Sequence, residues 1–389
     1  MRVLLVSAHG ADPTYGGAER YVSNLADGLS PRGHDLEVLS AFPQPGEPRS
    51  KTYVLHDVDW REDRGRRLRN HLADVVSARW PRVEEIVREA RPDVLHTNNL
   101  PGIGTGVWGV AKRLGVPVVH SLHDYHLLCP RTTLVRRDGE PCAPHPLLCG
   151  ARTRRLMRWG DGVDVLIGVS GHMLRVHQGR FPAADQRVIP PPLVIPGSAP
   201  VRPPRTPPIT LGYLGALTAI KGVELLLAAA PALTRAGLAV RIAGDGPLRA
   251  AVESARDVEY VGRLEGAELR AFVEECDAGV VPSLWDEPGP LVVGEWLSAA
   301  RPVLATRRGG LADAARRGGI VVFDESPPAL VDAARRLIAP GEWQRVLATI
   351  PRPPEGSDLE RWLDQHEAAY RAAVGAAAAG DAGRWTPRA

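Results

Sequence analysis

The sequence predicts an α/β protein made of two doubly wound parallel-sheet domains, and three observations carry that prediction. Short apolar runs alternate with longer amphipathic ones along the whole chain, the pattern of a parallel sheet covered by helices on both faces. A length of 389 residues suits two domains, each with enough chain to bury a core. Between the halves, residues 196–208 read PGSAPVRPPRTPP, with six prolines in thirteen positions. Proline at that density favours an extended spacer over packed structure.

The first half places strands at residues 3–7, 35–40, 94–96, 116–122 and 165–170, each followed by a helical pattern or a long loop. The second half restarts the rhythm, with strands at 210–214, 239–243, 258–261, 278–282, 303–305 and 319–322. The expected organisation is an N-terminal domain over 1–196, a linker over 197–208 and a C-terminal domain over 209–355. A helix over 356–375 is expected to cross back to the N-domain, ahead of a disordered tail over 376–389. Two such domains leave a cleft between them, and open α/β sheets bind ligands at the carboxyl ends of their strands.

Charge excludes one class of partner. Forty-eight Lys and Arg against 45 Asp and Glu leave a net charge of +3, too balanced to imply nucleic acid. The opening MRVLLVSAHG lacks a cleavage pattern and reads as a core strand rather than a signal peptide. No apolar stretch approaches the ~18 residues of a membrane span, so a soluble, cytoplasmic protein is expected. Four cysteines are no disulfide scaffold.

The stretch WDEPGPLVVGEW, residues 285–296, sets Glu287 and Glu295 on either side of Pro288, Gly289 and Pro290. Pro290 is tolerated at a helix start but not inside one, so Glu287 belongs to a loop and Glu295 to the second turn of the helix that follows. The free N–H groups of Leu291 and Val292 then make an anion site without a basic side chain. Ionised carboxylates beside it accept hydrogen bonds from hydroxyls, and an anion flanked by hydroxyl-bearing groups describes a nucleoside diphosphate sugar. Taken alone, the segment also reads as a loop and helix with two ordinary surface glutamates.

The segment VPSLWDEPGPLVVGEWLSAARPVLATRRGGLADA resembles the signature of the retaining glycosyltransferases of family 4, which have the GT-B fold of two Rossmann-like domains. YGGAERYVSNLADGLSPRGHDLEVLS, RPDVLHTNN, VPVVHSLHDYHLLCPR and VDVLIGVSGHM are similar to the family's N-domain, in order. YLGALTAIKGVELLLAA, VRIAGDGPLRAAV and VEYVGRLEGAELRAFVEECDAGVVPS line up with its donor-binding domain.

The resemblance implies that Glu295 receives the ribose hydroxyls, that Glu287 meets the transferred sugar, and that backbone from Gly289 through Pro290 and Leu291 to Val292 holds sugar and phosphates. Lys221, in AIKG, matches the lysine that faces the diphosphate. Gly244 and Asp245 fall on the donor side, while Gly16 and Gly17 lie near the diphosphate and acceptor. His123 is implied as a sugar contact, with Asp124 and Tyr15 on the acceptor side. By themselves YGG reads as a turn and a strand-end histidine as a structural group. Ala216 stands where the family often carries arginine, and either Arg263, an N-domain arginine, or the helix terminus with Lys221 supplies the charge.

The implied enzyme is a retaining hexosyltransferase using a nucleoside diphosphate sugar, with a UDP-sugar favoured, and a natural-product, cell-envelope or lipid acceptor. No cofactor or metal is required. The expected mechanism is front-face substitution, the leaving diphosphate helping to deprotonate the acceptor hydroxyl. An epimerase or phosphorylase on the same fold, or a silent nucleotide-sugar-binding protein, remains as an alternative. Cys129, Cys142, His145 and Cys149 carry zinc-ligand chemistry without a finger's spacing, so an ordinary loop is the main reading and a structural metal the minor one. Asp57 and Asp59 form an Asp-x-Asp away from the donor motifs, and the arginines after them leave peripheral contact with the inner membrane face as an option.

Overall fold

A computed structural model describes all residues except 13–14, 45–49, 57–73, 75–79, 137–138, 143–145, 193–207, 351–356 and 381–389. The chain falls into two compact units. One comprises Met1–Leu134, Cys142–Pro190 and Arg361–Ala389, the other Val135–Pro141 and Pro191–Glu360. The expected linker lies outside the described residues apart from Pro208, as does most of the expected tail.

In the first unit the strands are β1 (Arg2–Ser7), β2 (Asp35–Ser40), β3 (Thr52–Val54), β4 (Val94–Thr97), β5 (Val118–Leu122), β6 (Val165–Gly168) and β7 (Asp185–Val188). They form one parallel sheet in the order β3-β2-β1-β4-β5-β6-β7. The helices are α1 (Gly17–Leu29), α2 (Trp80–Ala90), α3 (Gly106–Arg113), α4 (Leu147–Met157) and α5 (Gly171–Val176). Strand β1 pairs with β2 on one side and β4 on the other, so the winding reverses there. A crevice opens at the carboxyl ends of strands at such a switch point.

The second unit repeats the plan with β8 (Ile209–Leu214), β9 (Leu238–Ala243), β10 (Glu259–Gly262), β11 (Ala278–Val281), β12 (Val303–Thr306) and β13 (Ile320–Phe323). Their order is β10-β9-β8-β11-β12-β13, again parallel, and the switch point falls between β8 and β11. The helices are α6 (Val223–Arg235), α7 (Arg249–Ser254), α8 (Gly266–Glu275), α9 (Leu291–Ser298), α10 (Gly310–Ala315), α11 (Pro327–Leu337) and α12 (Glu342–Ala348).

Glycine in the two central strands seats α9. Trp296 is fully buried, and a Cβ at Gly212 or Gly279 would come within 2.4 Å of its ring. The indole therefore lies against bare backbone of β8 and β11. This contact fixes the helix directly over the switch point.

The sequence reading misses β3 and β7. Both are edge strands, TYV and DQRV, and three of the four residues of DQRV are exposed. An edge strand with solvent on several sides needs no apolar run, so periodicity has nothing to register.

The last helix, α13 (Ser357–Gly380), packs its residues from Arg361 onward with the first unit. His366 donates through Nδ1 to the Trp362 carbonyl (2.7 Å), which leaves Nε2 to accept from the Tyr21 hydroxyl at 2.5 Å. His96 on β4 hydrogen-bonds the Tyr370 hydroxyl at 2.9 Å and the Ser121 hydroxyl at 2.8 Å. Arg32 bonds Asp364 at 2.8 Å on the rim.

Candidate active site

In the second unit, loops after β8 and β11 meet over the switch point. The Leu284 N–H donates to the Ile220 carbonyl at 2.8 Å, joining the two loops. Glu287 is buried there and its carboxylate collects three donors. Lys221 Nζ binds both oxygens at 2.8 and 3.0 Å, while the Ser283 hydroxyl (2.5 Å) and Trp285 Nε1 (2.9 Å) donate to Oε1. The Lys221 ammonium also lies 5.1 Å from the centre of the Trp285 ring. A buried carboxylate satisfied this fully has one available orientation.

The backbone of Glu287 is fixed as well. It pairs in parallel with Gly309, and the Gly310 N–H donates to the Glu287 carbonyl at 2.5 Å. Gly309 has φ +54°, and a Cβ there would sit 2.6 Å from the Glu287 carbonyl oxygen, so only glycine fits. Three residues beyond Glu287, Pro290 starts α9 without a side-chain cap. Its first N–H groups lack helical partners, and Glu295 is half-buried one turn further on. Glu287, Lys221, Gly289, Pro290, Leu291, Val292 and Glu295 are thus gathered at the carboxyl ends of β8 and β11.

Other donor-side residues lie on neighbouring elements. Arg263 follows the edge strand β10, is more than half exposed and pairs with Glu265 at 2.9 Å. Gly244 follows β9, and Asp245 is exposed with its carbonyl accepting from the Leu217 N–H at 2.9 Å. Ala216 is exposed, and its carbonyl accepts from the Tyr213 hydroxyl at 2.8 Å. A different arginine adjoins the backbone that holds Glu287. Arg308 immediately precedes the Gly309 that pairs with Glu287, and it bonds Glu325 at 2.5 Å.

In the first unit the polar side chains again cluster at a switch point. His9 follows β1, and its Nδ1 lies 3.3 Å from the buried carboxylate of Glu19 on α1. Asn99, beyond β4, donates to the same oxygen at 3.4 Å. Tyr15 stacks on the His9 ring at 3.8 Å between centroids. Gly16 and Gly17 open α1 beside them.

Burial raises the Glu19 carboxyl, but the His9 hydrogen bond, its own backbone and the charges of His9 and His123 outweigh burial and hold it below the usual range. Nothing in the sequence singled out Glu19 or His9. An acid in the first turn of a helix ordinarily complements the helix dipole, and only a buried position distinguishes this one.

His123 bonds the Asn98 side-chain oxygen through Nε2 at 2.9 Å. The Asn98 amide nitrogen faces the carbonyls of Val6 and His96, at 3.5 and 3.4 Å, so its oxygen must face the ring. His123 therefore carries its proton on Nε2 and keeps Nδ1 as an acceptor. Burial pushes its pKa down to about 4, against the pull of Glu19, and the ring is neutral at pH 7. Asp124 accepts from the His126 N–H at 2.7 Å. Burial pushes its carboxyl up to about 6; the His126 bond opposes this and the Glu19 charge adds to it.

The four cysteines are free thiols, and Cys276 at the end of α8 is a core residue whose thiol burial raises to about 12. Among the described residues no group of three or more His, Cys, Asp or Glu side chains could hold a metal ion. His145 of the expected zinc set lies outside the described residues, as do Asp57, Asp59 and the arginines after them.

Residues 15–194 match Glycosyltransferase Family 4, and residues 208–340 match Glycosyl transferases group 1. The chain belongs to glycosyltransferase family 4. It is similar to a glycogen synthase of Mycobacterium tuberculosis, 27% identical over 82% of this chain and 81% of that protein. Its fold matches a sucrose-phosphate synthase from Thermosynechococcus elongatus with a TM-score of 0.72 at 20% identity, covering 96% of this chain and 99% of the other. It also matches the Anabaena protein HepE in complex with UDP and glucose, with a TM-score of 0.65 at 16% identity over 95% and 99% of the two chains.

The two parallel sheets are those of the GT-B fold. As a family 4 glycosyltransferase the protein transfers sugar from a nucleotide-sugar donor. No described helix is long and apolar enough to cross a membrane.

Proposed function

We propose that the protein is a retaining hexosyltransferase that moves a hexose from a nucleoside diphosphate, with UDP preferred, to an acceptor hydroxyl of a natural product or a cell-envelope saccharide or lipid. The observation that carries this reading is the immobilised Glu287, held by Lys221, Ser283 and Trp285 beside the uncapped start of α9. A carboxylate fixed by three donors is placed to receive sugar hydroxyls and is poorly suited to attack carbon. Glu295 receives the ribose, and the N–H groups of Leu291 and Val292 receive the phosphates.

The reaction needs positive charge as the diphosphate departs. Lys221 is only half-buried, and with the helix terminus it supplies that charge without a metal. Arg308, next to the backbone that pairs with Glu287, replaces the cation absent at Ala216, in preference to Arg263 beyond the edge strand. A front-face course fits best: the departing phosphate oxygen takes the acceptor proton as the new glycosidic bond forms on the face the diphosphate leaves. On the acceptor side, Tyr15 and Asp124 contact the acceptor. Neutral His123, with Nδ1 as acceptor, receives a hydroxyl of the sugar. We place the enzyme in the cytoplasm, with peripheral contact at the inner membrane face.

Incubation with a panel of nucleotide sugars and acceptors tests the reading, following nucleotide release, acceptor mass and the anomeric configuration of the product. Retained configuration with UDP release is expected. An inverted product, donor conversion without acceptor, or full turnover by Glu295→Ala would overturn it.

A further inference from the structure

Two adjacent leucines stand almost wholly in solvent. Leu147 is 92% exposed and Leu148 85%, far above any other exposed large hydrophobic residue among the described ones. They begin α4, after Pro146. A helix that only stabilised the unit would not place two of its three leucines outward, and the inner face of α4 is already filled. Thr153 and Leu156 are buried, Thr153 Oγ1 donates to the Leu128 carbonyl at 3.2 Å, and Arg152 donates to the His126 carbonyl at 2.7 Å.

At 100° per residue, the outward sector that starts with Leu147 and Leu148 continues through Ala151, Arg154, Arg155 and Arg158. All of these are exposed. The sector therefore changes from apolar to cationic along the axis, with the guanidiniums roughly 10–16 Å beyond the leucines. The helix carries no acidic residue, and no carboxylate among the described residues pairs with Arg154 or Arg155. Arg158 sits over the Trp159 ring at 4.8 Å, which holds it at the end of the row. Burial, with the charge of Arg155 adding, lowers its pKa.

We infer that this face of α4 docks the enzyme on an anionic lipid surface. The leucines enter the interface and Arg154, Arg155 and Arg158 meet headgroup phosphates. Charge complementarity selects this occupant. A two-fold contact with a second copy would bring two uncompensated arginine rows together without a carboxylate to neutralise them. The inference rests on the peripheral contact proposed above and names the surface that makes it. An acceptor carried by the membrane would then be met by an enzyme already held at the same plane.

The test is co-sedimentation of the full chain with phosphatidylcholine vesicles, pure or with about a third phosphatidylglycerol, without donor or acceptor. Binding to the anionic vesicles alone is expected, falling steeply with added salt. Leu147→Ser/Leu148→Ser and Arg154→Glu/Arg155→Glu should each weaken it at least ~10-fold, with melting temperature and turnover on a water-soluble acceptor unchanged. The inference is overturned if the protein stays in the supernatant with anionic vesicles, or if the leucine variant binds as well as wild type. A concentration-dependent dimer that the leucine variant dissolves, with vesicle binding intact, would overturn it as well. Because no substrate is present, failure here leaves the transfer reaction standing, and absence of nucleotide release with vesicle binding intact would count against the transfer reaction alone.

Discussion

The two units share one winding and differ in what they do with polar side chains. All twelve histidines fall in the segments of the first unit, and the second has none. The first unit threads neutral imidazoles through its interior. His96 joins Tyr370 to Ser121, His120 bonds Thr97, and His366 accepts from Tyr21. The second unit buries an apolar core and holds the Glu287 carboxylate in an ionic cluster at its switch point. The comparison teaches that a Rossmann-like sheet dictates where a site lies but not the chemistry that stiffens it. One unit relies on hydrogen bonds through buried imidazoles that stay neutral at pH 7, the other on an ion pair.

Acid should separate the units most strongly. Burial pushes His120 down to about 3 and His177 and His366 to about 4, and holds His96 well below its usual value. In the unfolded chain each titrates near ~6.5. The unfolded state therefore takes up protons that the folded state refuses. Stability is fully present above that value and is lost as the pH falls toward 4. At pH 5 each such histidine costs about 2 kcal/mol. Asp124 works the other way, since its raised carboxyl binds a proton earlier in the folded state. Hydrogen exchange at pH 7 and pH 5 should show protection collapsing in the first unit and holding in the second. Equal loss in both would break the comparison.

Substitution at the ionic cluster comes next. Glu287→Ala removes the acceptor from Lys221, Ser283 and Trp285, and nucleotide release should fall ~10²–10³-fold, the scale of losing one preorganised polar group. Glu287→Gln keeps the shape and should recover packing without activity. Thermal melting of both variants separates the chemical loss from a structural one.

Removing a single hydroxyl from the histidine network should be milder. Tyr370→Phe leaves His96 without one partner on α13 and should cost about 1–3 kcal/mol, the penalty for an unsatisfied buried polar group. Denaturant titration should place that cost in the first unit, with donor binding unchanged. A loss of donor affinity instead would blur the division of labour.

The smallest contrast concerns two arginines. Arg308→Ala, next to the backbone that pairs with Glu287, should raise the donor KM ~10-fold, about 1.4 kcal/mol. Arg263→Ala, on the edge, should change it less than ~2-fold, as expected of an exposed pair worth under 1 kcal/mol. The reverse order would return the missing charge at Ala216 to Arg263.

Much of this was legible along the chain. All eleven expected strands exist within about two residues of their expected places; central ones such as β4, β5, β11 and β12 are buried along their whole length and read as apolar runs. Glu287 and Glu295 were legible because proline has one tolerated place at a helix start, so Pro290 separates loop from helix. Glu19 and His9 were not, since their importance lies in burial and in a 3.3 Å contact between a loop and a helix. Arg308 was hidden for the same reason. Its place beside Glu287 comes from a backbone bridge between residues twenty-two apart.

The sequence by itself determined the α/β winding, the family and the residues that begin α9, because apolar periodicity and proline geometry act locally. Tertiary structure alone decided that Glu287 is locked by Lys221, Ser283 and Trp285, that Asn98 sets the tautomer of His123, and that Leu147 and Leu148 face outward. Each of these depends on which strand ends and loops become neighbours. Neighbourhood follows from strand order, and no local pattern along the chain records it.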